Sequence, residues 1–354
     1  ISGKLKEYGL HHTDSDWSVF VSLDKTLIVG LYVDDLVIIG RSLQAINDLK
    51  ARLTEAYPIK DLGEIGVCLG IRVTRNRKDR SLQLDQELYI SNTLNTYQMG
   101  DSTPVTTPTE GYSGLTKADP SDERADQHLY RQIIGSLMYA SLATRPDITF
   151  TVNKLAQFSS DPTRKHYNSA LRVLRYLKGT LDYRLSYGKC AIEKLTGYTD
   201  ADYAASDDRH SISAYVYLLY GAAICWSSRR QRVIATSTVE SEYIALCNAA
   251  KQGIWLRQLL YEVGYEEYLY KPGTILVYGD NQGSLCLANN PENHQRTKHI
   301  DVQYHYTREL VDSGALVTKY CPTESMLADG LTKPLARVGF QALFQKVLGS
   351  IGTG

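Results

Sequence analysis

The spacing of apolar positions changes period several times along this chain, and each change marks an element. Two short apolar runs, 27–31 and 36–39, flank Tyr32-Val33-Asp34-Asp35, the pattern of buried strands joined by a tight turn. Two or three strands are expected over 19–39. LQAINDLKARLTEA (43–56) then shifts to helical spacing, with Leu43, Ile46, Leu49, Leu53 and Ala56 in register and Pro58 as the stop. VCLGIRVTRNRKDRSLQLDQ reads as a hairpin with its polar tip at 76–81. Residues 100–122 hold Pro104, Pro108 and Pro120 among Thr, Ser and Gly, and read as a linker. Helices are expected over 127–143, 146–159 and 166–177.

From Glu193 onward, strands and helices alternate. Strands fall at KLTGYTD, 212–219 and 222–226, then a helix at 241–263 and a strand at 274–278. A helix near 299–312, a strand at 315–320 and a helix from about Thr323 complete the series. Three strands, a helix and then strand–helix pairs predict a mixed sheet, whose ligands sit at strand ends.

Composition changes this picture little. At 354 residues, 43% hydrophobic and 22% charged, the chain suits two or three globular domains. A net charge of zero leaves room for a basic stripe offset by acidic groups. The six cysteines show no C-x-x-C pair, which argues against zinc and a disulfide framework and for a reducing interior. No apolar run approaches a membrane span, and no signal peptide is visible. The 26 tyrosines read mostly as half-buried packing residues, with base stacking open to some.

Asp34 and Asp35 carry the first candidate chemistry. Two neighbouring carboxylates inside a fold are costly unless a cation is near. Hard oxygen ligands point to Mg²⁺ and, with phosphates, to nucleotidyl transfer. An Asp-rich turn without metal is the plainer alternative. With Tyr-Val before the pair and apolar strands on both sides, YVDD resembles the palm of retroelement reverse transcriptases. KDLGEIGVCLGIRV (60–73), RTKHIDVQYHYTRE (296–309) and CPTESMLADGLTKPL (321–335) narrow the likeness to copia-type LTR retrotransposon polyproteins, over nearly the whole chain.

The resemblance implies an α/β chain in four parts. An α+β partial palm with the YVDD hairpin and a primer-grip-like hairpin takes 1–99. A linker and helical thumb or connection region take 100–190, a ribonuclease H-like mixed-sheet domain 191–340, and a C-terminal tail 341–354. A palm needs one more Asp from an earlier strand. Only Asp14, Asp16 and Asp24 precede Tyr32, and they resemble the strand and turn just before the hairpin. With Ile1 in place of Met, a piece of a longer polyprotein is expected, with RNA-directed DNA polymerase activity only in the full-length parent.

A ribonuclease H converges carboxylates from separate elements on two Mg²⁺ ions, with Mn²⁺ as a substitute, to hydrolyse the RNA strand of an RNA–DNA hybrid. The resemblance places Asp200 at the end of the first strand, with Asp202 as a rival by alternation. It places Glu242 on the long helix, with Glu240 in the first turn and Thr236, Ser237 or Thr238 as cap. Asp280 ends a buried strand before a helix, where capping that helix is the alternative. Asp329 falls in the final helix five residues after Glu324, with Gly330 weakening that helix. The position of an auxiliary His holds Lys319-Tyr320-Cys321, leaving His299 or His294 as substitutes or as surface residues packed on Tyr.

Residues 161–190 carry seven Lys or Arg against two Asp. Arg172, Arg175 and Lys178, three apart on one helix, suit a duplex backbone, and a solvated face fits the same spacing. Arg229, Arg230, Arg296 and Lys298 are further candidates for phosphate contact. The expected partners are an RNA–DNA hybrid, a template–primer duplex and the N-terminal part of the polyprotein, with no membrane. The expected location is intracellular, in a cytoplasmic virus-like particle or the nucleus. The alternative to an enzyme is an inactive transposon relic that only binds nucleic acid.

Overall fold

A computed structural model of the chain describes residues 1–111, 116–188, 190, 193–206, 208–289 and 301–349, with the side chains of 301–304 left out. The N-terminal unit begins with helix α1 (Ser2–Glu7) and four antiparallel strands in sequence order: β1 (Leu10–His12), β2 (Val19–Ser22), β3 (Leu27–Tyr32) and β4 (Asp35–Gly40). Helix α2 (Leu43–Ala56) follows, started by Ser42, whose side chain accepts from the Ala45 N–H. Leu49 and Leu53 of α2 bury against Leu5, Leu10, Phe20 and Val29 in a small separate core. Leu43, expected on the inner face, is exposed instead, because it opens the helix beyond the edge of that core.

The second sheet joins distant parts of the chain. Strands β5 (Val67–Cys68), β6 (Ile71–Asn76) and β7 (Ser81–Asp85) run antiparallel, and helix α3 (Glu87–Thr96) follows. Helices α4 (Gln127–Ala143), α5 (Thr149–Ala156) and α6 (Arg164–Lys178) come next, with a short 3-10 turn at Pro146–Ile148. Strand β8 (Leu185–Tyr187) then returns to pair with β7, Leu82 opposite Tyr187.

The third sheet is mixed, in the order β11-β10-β9-β12-β13. Strands β9 (Thr196–Asp202), β10 (Ile212–Leu219) and β11 (Ala222–Arg230) are antiparallel. After helix α7 (Thr238–Glu262), β12 (Ile275–Gly279) lies parallel to β9. Helices α8 (Gln282–Asn289) and α9 (Asp301–Asp312) precede β13 (Leu316–Tyr320), which lies parallel to β12. Helix α10 (Arg337–Leu348) closes the described chain.

Alternation along the strands gives this sheet two different faces. Tyr217, Ile275 and Val277 pack with Tyr243, Leu246 and Ala250 of α7 on one side. Ala214, Val216 and Leu218 join the helices α4–α6 and α10 on the other. That second core runs from Ile90 to Leu348, so it crosses the expected boundaries at 99, 190 and 340. Residues 341–348, expected in a tail, are the last eight of the twelve residues of α10, and Phe344 and Val347 are buried. Burying each such side chain contributes roughly 1.5–3 kcal/mol.

A buried ion pair sits inside the same core. Arg145 is fully buried, with Nη2 at 2.7 Å and Nε at 3.0 Å from the Asp147 carboxylate. It also donates to the Thr180 carbonyl and hydroxyl, while the Tyr176 hydroxyl donates to Asp147 at 2.7 Å. Satisfying both partners on every side is what makes such a pair tolerable.

The expected helix from Thr323 is absent. Two 3-10 turns, Thr323–Ser325 and Asp329–Leu331, stand there instead. The physical reason is packing: Met326, Leu327, Ala328 and Leu331 all point into the core, which a single helical face cannot arrange. Gly330 has a packing role too, since a Cβ there would lie 2.7 Å from the Phe344 ring.

Candidate functional site

Strand register brings the first two acids together. Tyr198 of β9 is the register partner of Tyr278 of β12, and their rings stack at 5.2 Å. Asp200 and Asp280 each stand two residues further on, so a parallel pair with side-chain period 2 sets them side by side. Asp329 comes from the 3-10 turn before α10 rather than from a final helix. One carboxylate oxygen from each of Asp200, Asp280 and Asp329 lies within 4.8 Å of the other two. Asp200 and Asp329 are buried and Asp280 is partly so.

Glu242 lies beside this trio, outside the 4.8 Å set. It is buried on α7, and the Ala201 backbone N–H next to Asp200 favours its charged form. Glu240 has the other role expected of it. Its carboxylate accepts from the Thr236 N–H at 2.8 Å and from the Thr236 hydroxyl, while Ser237 caps the helix. Asp202 shares the strand parity of Asp200 but stays out of the trio; it pairs with Ile212 at the start of β10. Glu324 is exposed on its own turn.

Electrostatics mark the cluster as a site that wants positive charge. Burial, and then the charge of Asp329, raises Asp200 well above the usual carboxylate range. Burial, followed by Asp200 and Asp280, does the same to Glu242. Burial also raises Asp329, against the opposing effect of Lys333. Hydroxyls orient two of the acids: Thr323 donates to Asp280 at 2.8 Å, and Thr332 donates to Asp200.

Sequence reasoning missed Thr332 and Lys333. Lys333 Nζ lies 3.0 Å from Asp329, four residues on, and the charge of Asp200 also acts on it. The available signal was local: D-G-L-T-K places a hydroxyl and an ammonium three and four positions after the acid.

Asp34 and Asp35 have a different setting. Both are exposed at the β3–β4 tip, with Val33 at φ 50° in the two-residue turn. Among the described residues, no His, Cys, Asp or Glu joins them in a group of three able to hold a metal.

The basic candidates divide. Lys178 donates to the Ser102 carbonyl and Arg175 to the Thr103 carbonyl, each at 2.7 Å, while Arg172 pairs with Glu110 and reaches Thr107. These three therefore bind segment 102–110 against α6, where its backbone carbonyls need donors. The expected linker is a strap. Arg230 pairs with Asp208 and Arg229 is exposed, both at the end of β11. Arg296, Lys298, His294 and His299 lie outside the described residues.

Residues 1–111 match the family described as reverse transcriptase (RNA-dependent DNA polymerase). The chain is 39% identical over 321 residues to a retrovirus-related Pol polyprotein from transposon TNT 1-94 of Nicotiana tabacum, covering 89% of this chain and 24% of that one. It is 31% identical to a putative transposon Ty5-1 protein of Saccharomyces cerevisiae, covering 69% of this chain and 80% of that one. A solved foamy viral protease-reverse transcriptase in complex with RNA/DNA hybrid aligns with 83% of this chain and 36% of that one, at 12% identity and a TM-score of 0.47. The chain spans about a quarter of the length of the plant Pol relatives it matches. On these identities it belongs to the copia-type retrotransposon Pol polyproteins, with its reverse transcriptase match over residues 1–111.

Proposed function

We propose that this chain cleaves the RNA strand of RNA–DNA hybrids at the Asp200, Asp280 and Asp329 cluster, with Glu242 as the fourth acid. The observation that carries the reading is the convergence of three carboxylates, from two neighbouring parallel strands and one turn, within 4.8 Å. The donor set fits a hard divalent cation: all are carboxylate oxygens, largely buried, and Asp200, Glu242 and Asp329 hold protons more tightly than usual because they are buried and close to other carboxylates. Mg²⁺, or Mn²⁺ in its place, would be held by Asp200, Asp280, Asp329 and Glu242. When bound, such ions supply activation of the attacking water and charge stabilisation at the leaving oxygen.

The chain's own groups perform the positioning. The Thr332 hydroxyl fixes the orientation of Asp200, and the Thr323 hydroxyl that of Asp280. The Ala201 N–H at the same strand end favours the charged form of Glu242. The stacked Tyr198 and Tyr278 rings below the acids keep β9 and β12 in register. The 2′-hydroxyls of the hybrid's minor groove would mark the RNA strand.

Polymerisation is assigned to a longer chain, because Asp34 and Asp35 stand without a third ligand among the described residues. The test is cleavage of an end-labelled RNA–DNA hybrid by the purified chain in Mg²⁺, beside Asp280→Asn. Cleavage by the parent chain and none by the variant is the expected result. Equal cleavage by both would overturn the assignment.

A further inference from the structure

The turn that carries Asp329 brings a positive charge to the cluster. Both the Thr332 and Lys333 N–H groups donate to the Asp329 carbonyl, so the turn points their side chains back toward the acids. Lys333 Nζ then reaches within 3.0 Å of Asp329 Oδ1, and its side chain keeps 35% exposure. It stands at the mouth of the site, between buried carboxylates and solvent. Its charge opposes those of Asp200, Glu242 and Asp329 alike. A lysine ammonium is a compact charge on a flexible four-carbon stem, so it can leave by rotation without moving the backbone.

We propose that Lys333 is a tethered counter-cation of the carboxylate cluster, which holds the acids together without metal and is displaced as a divalent ion enters. The inference rests on the reading of the cluster as a metal site and adds a competitor to it. Like charges among acids within 4.8 Å of one another would push the β9 and β12 ends away from the Asp329 turn. Lys333 offsets that repulsion in the metal-free protein. A divalent ion at the same oxygens does so more strongly, and then repels the ammonium. Metal binding is therefore weakened by the presence of Lys333, and metal release is eased.

This role separates from that of an ordinary structural ion pair. A structural pair would be worth the same with or without metal. A counter-cation matters most when the metal is absent.

The experiment measures Mn²⁺ binding by titration calorimetry and melting temperature in EDTA and in saturating Mn²⁺, for the parent chain, Lys333→Met, Lys333→Arg and Asp280→Asn. Lys333→Met is expected to bind Mn²⁺ about tenfold more tightly. It should melt several degrees lower than the parent in EDTA and recover most of that difference in Mn²⁺. Lys333→Arg keeps the charge and should follow the parent in EDTA, which guards against a loss of fold by the Met variant. Unchanged Mn²⁺ affinity in Lys333→Met, with an equal fall in melting temperature in both conditions, would overturn the inference and leave the metal site standing. A parent isotherm that Asp280→Asn does not alter would overturn the metal site itself, and the inference with it.

Discussion

The chain holds two acidic sites built in opposite ways. Asp34 and Asp35 are neighbours in sequence, exposed at the tip of a two-residue turn. Asp200, Asp280 and Asp329 are far apart in sequence, yet converge within 4.8 Å at a buried strand end. Adjacent strand residues point to opposite faces, so a local pair is unlike a convergent site, however conspicuous it looks. Water screens the hairpin acids, whereas burial makes the cluster's charges strong. The difference teaches that acids here are brought together by long-range register more than by a short motif.

Removing charge from each site tests the comparison most sharply. Asp200→Asn should lower hybrid cleavage by about 10⁴-fold, because a bound metal supplies several kcal/mol of transition-state stabilisation. The double change Asp34→Asn and Asp35→Asn should leave cleavage within about twofold of the parent chain. Initial rates on a labelled hybrid decide it, and comparable losses in both would collapse the distinction.

The next contrast lies in what supports each site. Asp147 lines the same small crevice as Gly330, Lys333 and Phe340, so the Arg145 pair underlies the turn that carries Asp329. Arg145→Met should cost about 3–4 kcal/mol in chemical denaturation, since it strands a buried carboxylate. Arg145→Met with Asp147→Leu should recover most of that loss. A single variant as stable as the parent would show that the support is dispensable.

Much of this arrangement was legible in the sequence, for reasons that differ by element. Helices α2 and α4 follow the expected spans residue for residue, because their apolar spacing is long and the next element starts cleanly after a Pro or a cap. The sheet of β9–β13 was legible from the order of its elements. Asp200 and Asp280 were expected at strand ends, which are local signals, whereas Asp329 was expected in a final helix and stands on a 3-10 turn. What could not be read was set by packing across the chain. The 3-10 turns around Asp329 depend on Phe344, and the strap over 102–110 depends on donors from α6. Lys333 carried a readable i,i+4 signal, but a lone Lys after an acid has no meaning until the other carboxylates are placed.

Backbone geometry offers a smaller contrast. Gly330→Ala would set a Cβ 2.7 Å from the Phe344 ring and should destabilise by about 2 kcal/mol. At the hairpin the sign reverses. Val33 is β-branched at φ 50°, so Val33→Gly should stabilise by about 1 kcal/mol through relief of that strain. Denaturation midpoints of the two variants should therefore move in opposite directions, and a shared direction would refute the contrast.

The smallest expected effect is one that any pH comparison of the two acidic sites must subtract. His166 is buried on α6, stacked on Phe158 at 4.0 Å. Its Nδ1 accepts from the Thr163 N–H at 3.0 Å, so Nε2 carries the proton donated to the Thr116 carbonyl at 2.7 Å. A second proton on Nδ1 would face the Thr163 N–H. Burial lowers the His166 pKa from 6.5, against the opposing Thr116 hydrogen bond. Below pH 6.5 the unfolded chain therefore takes up a proton that the folded chain refuses. Stability from this group is complete above 6.5 and is lost as pH falls from there through the lower folded value, by at most about 1.4 kcal/mol per pH unit. His166→Gln should flatten that part of the profile between pH 7 and 5 in chemical denaturation, while the Asp34 and Asp35 double variant leaves it intact. An unchanged slope in His166→Gln would assign the acid sensitivity to the carboxylates instead.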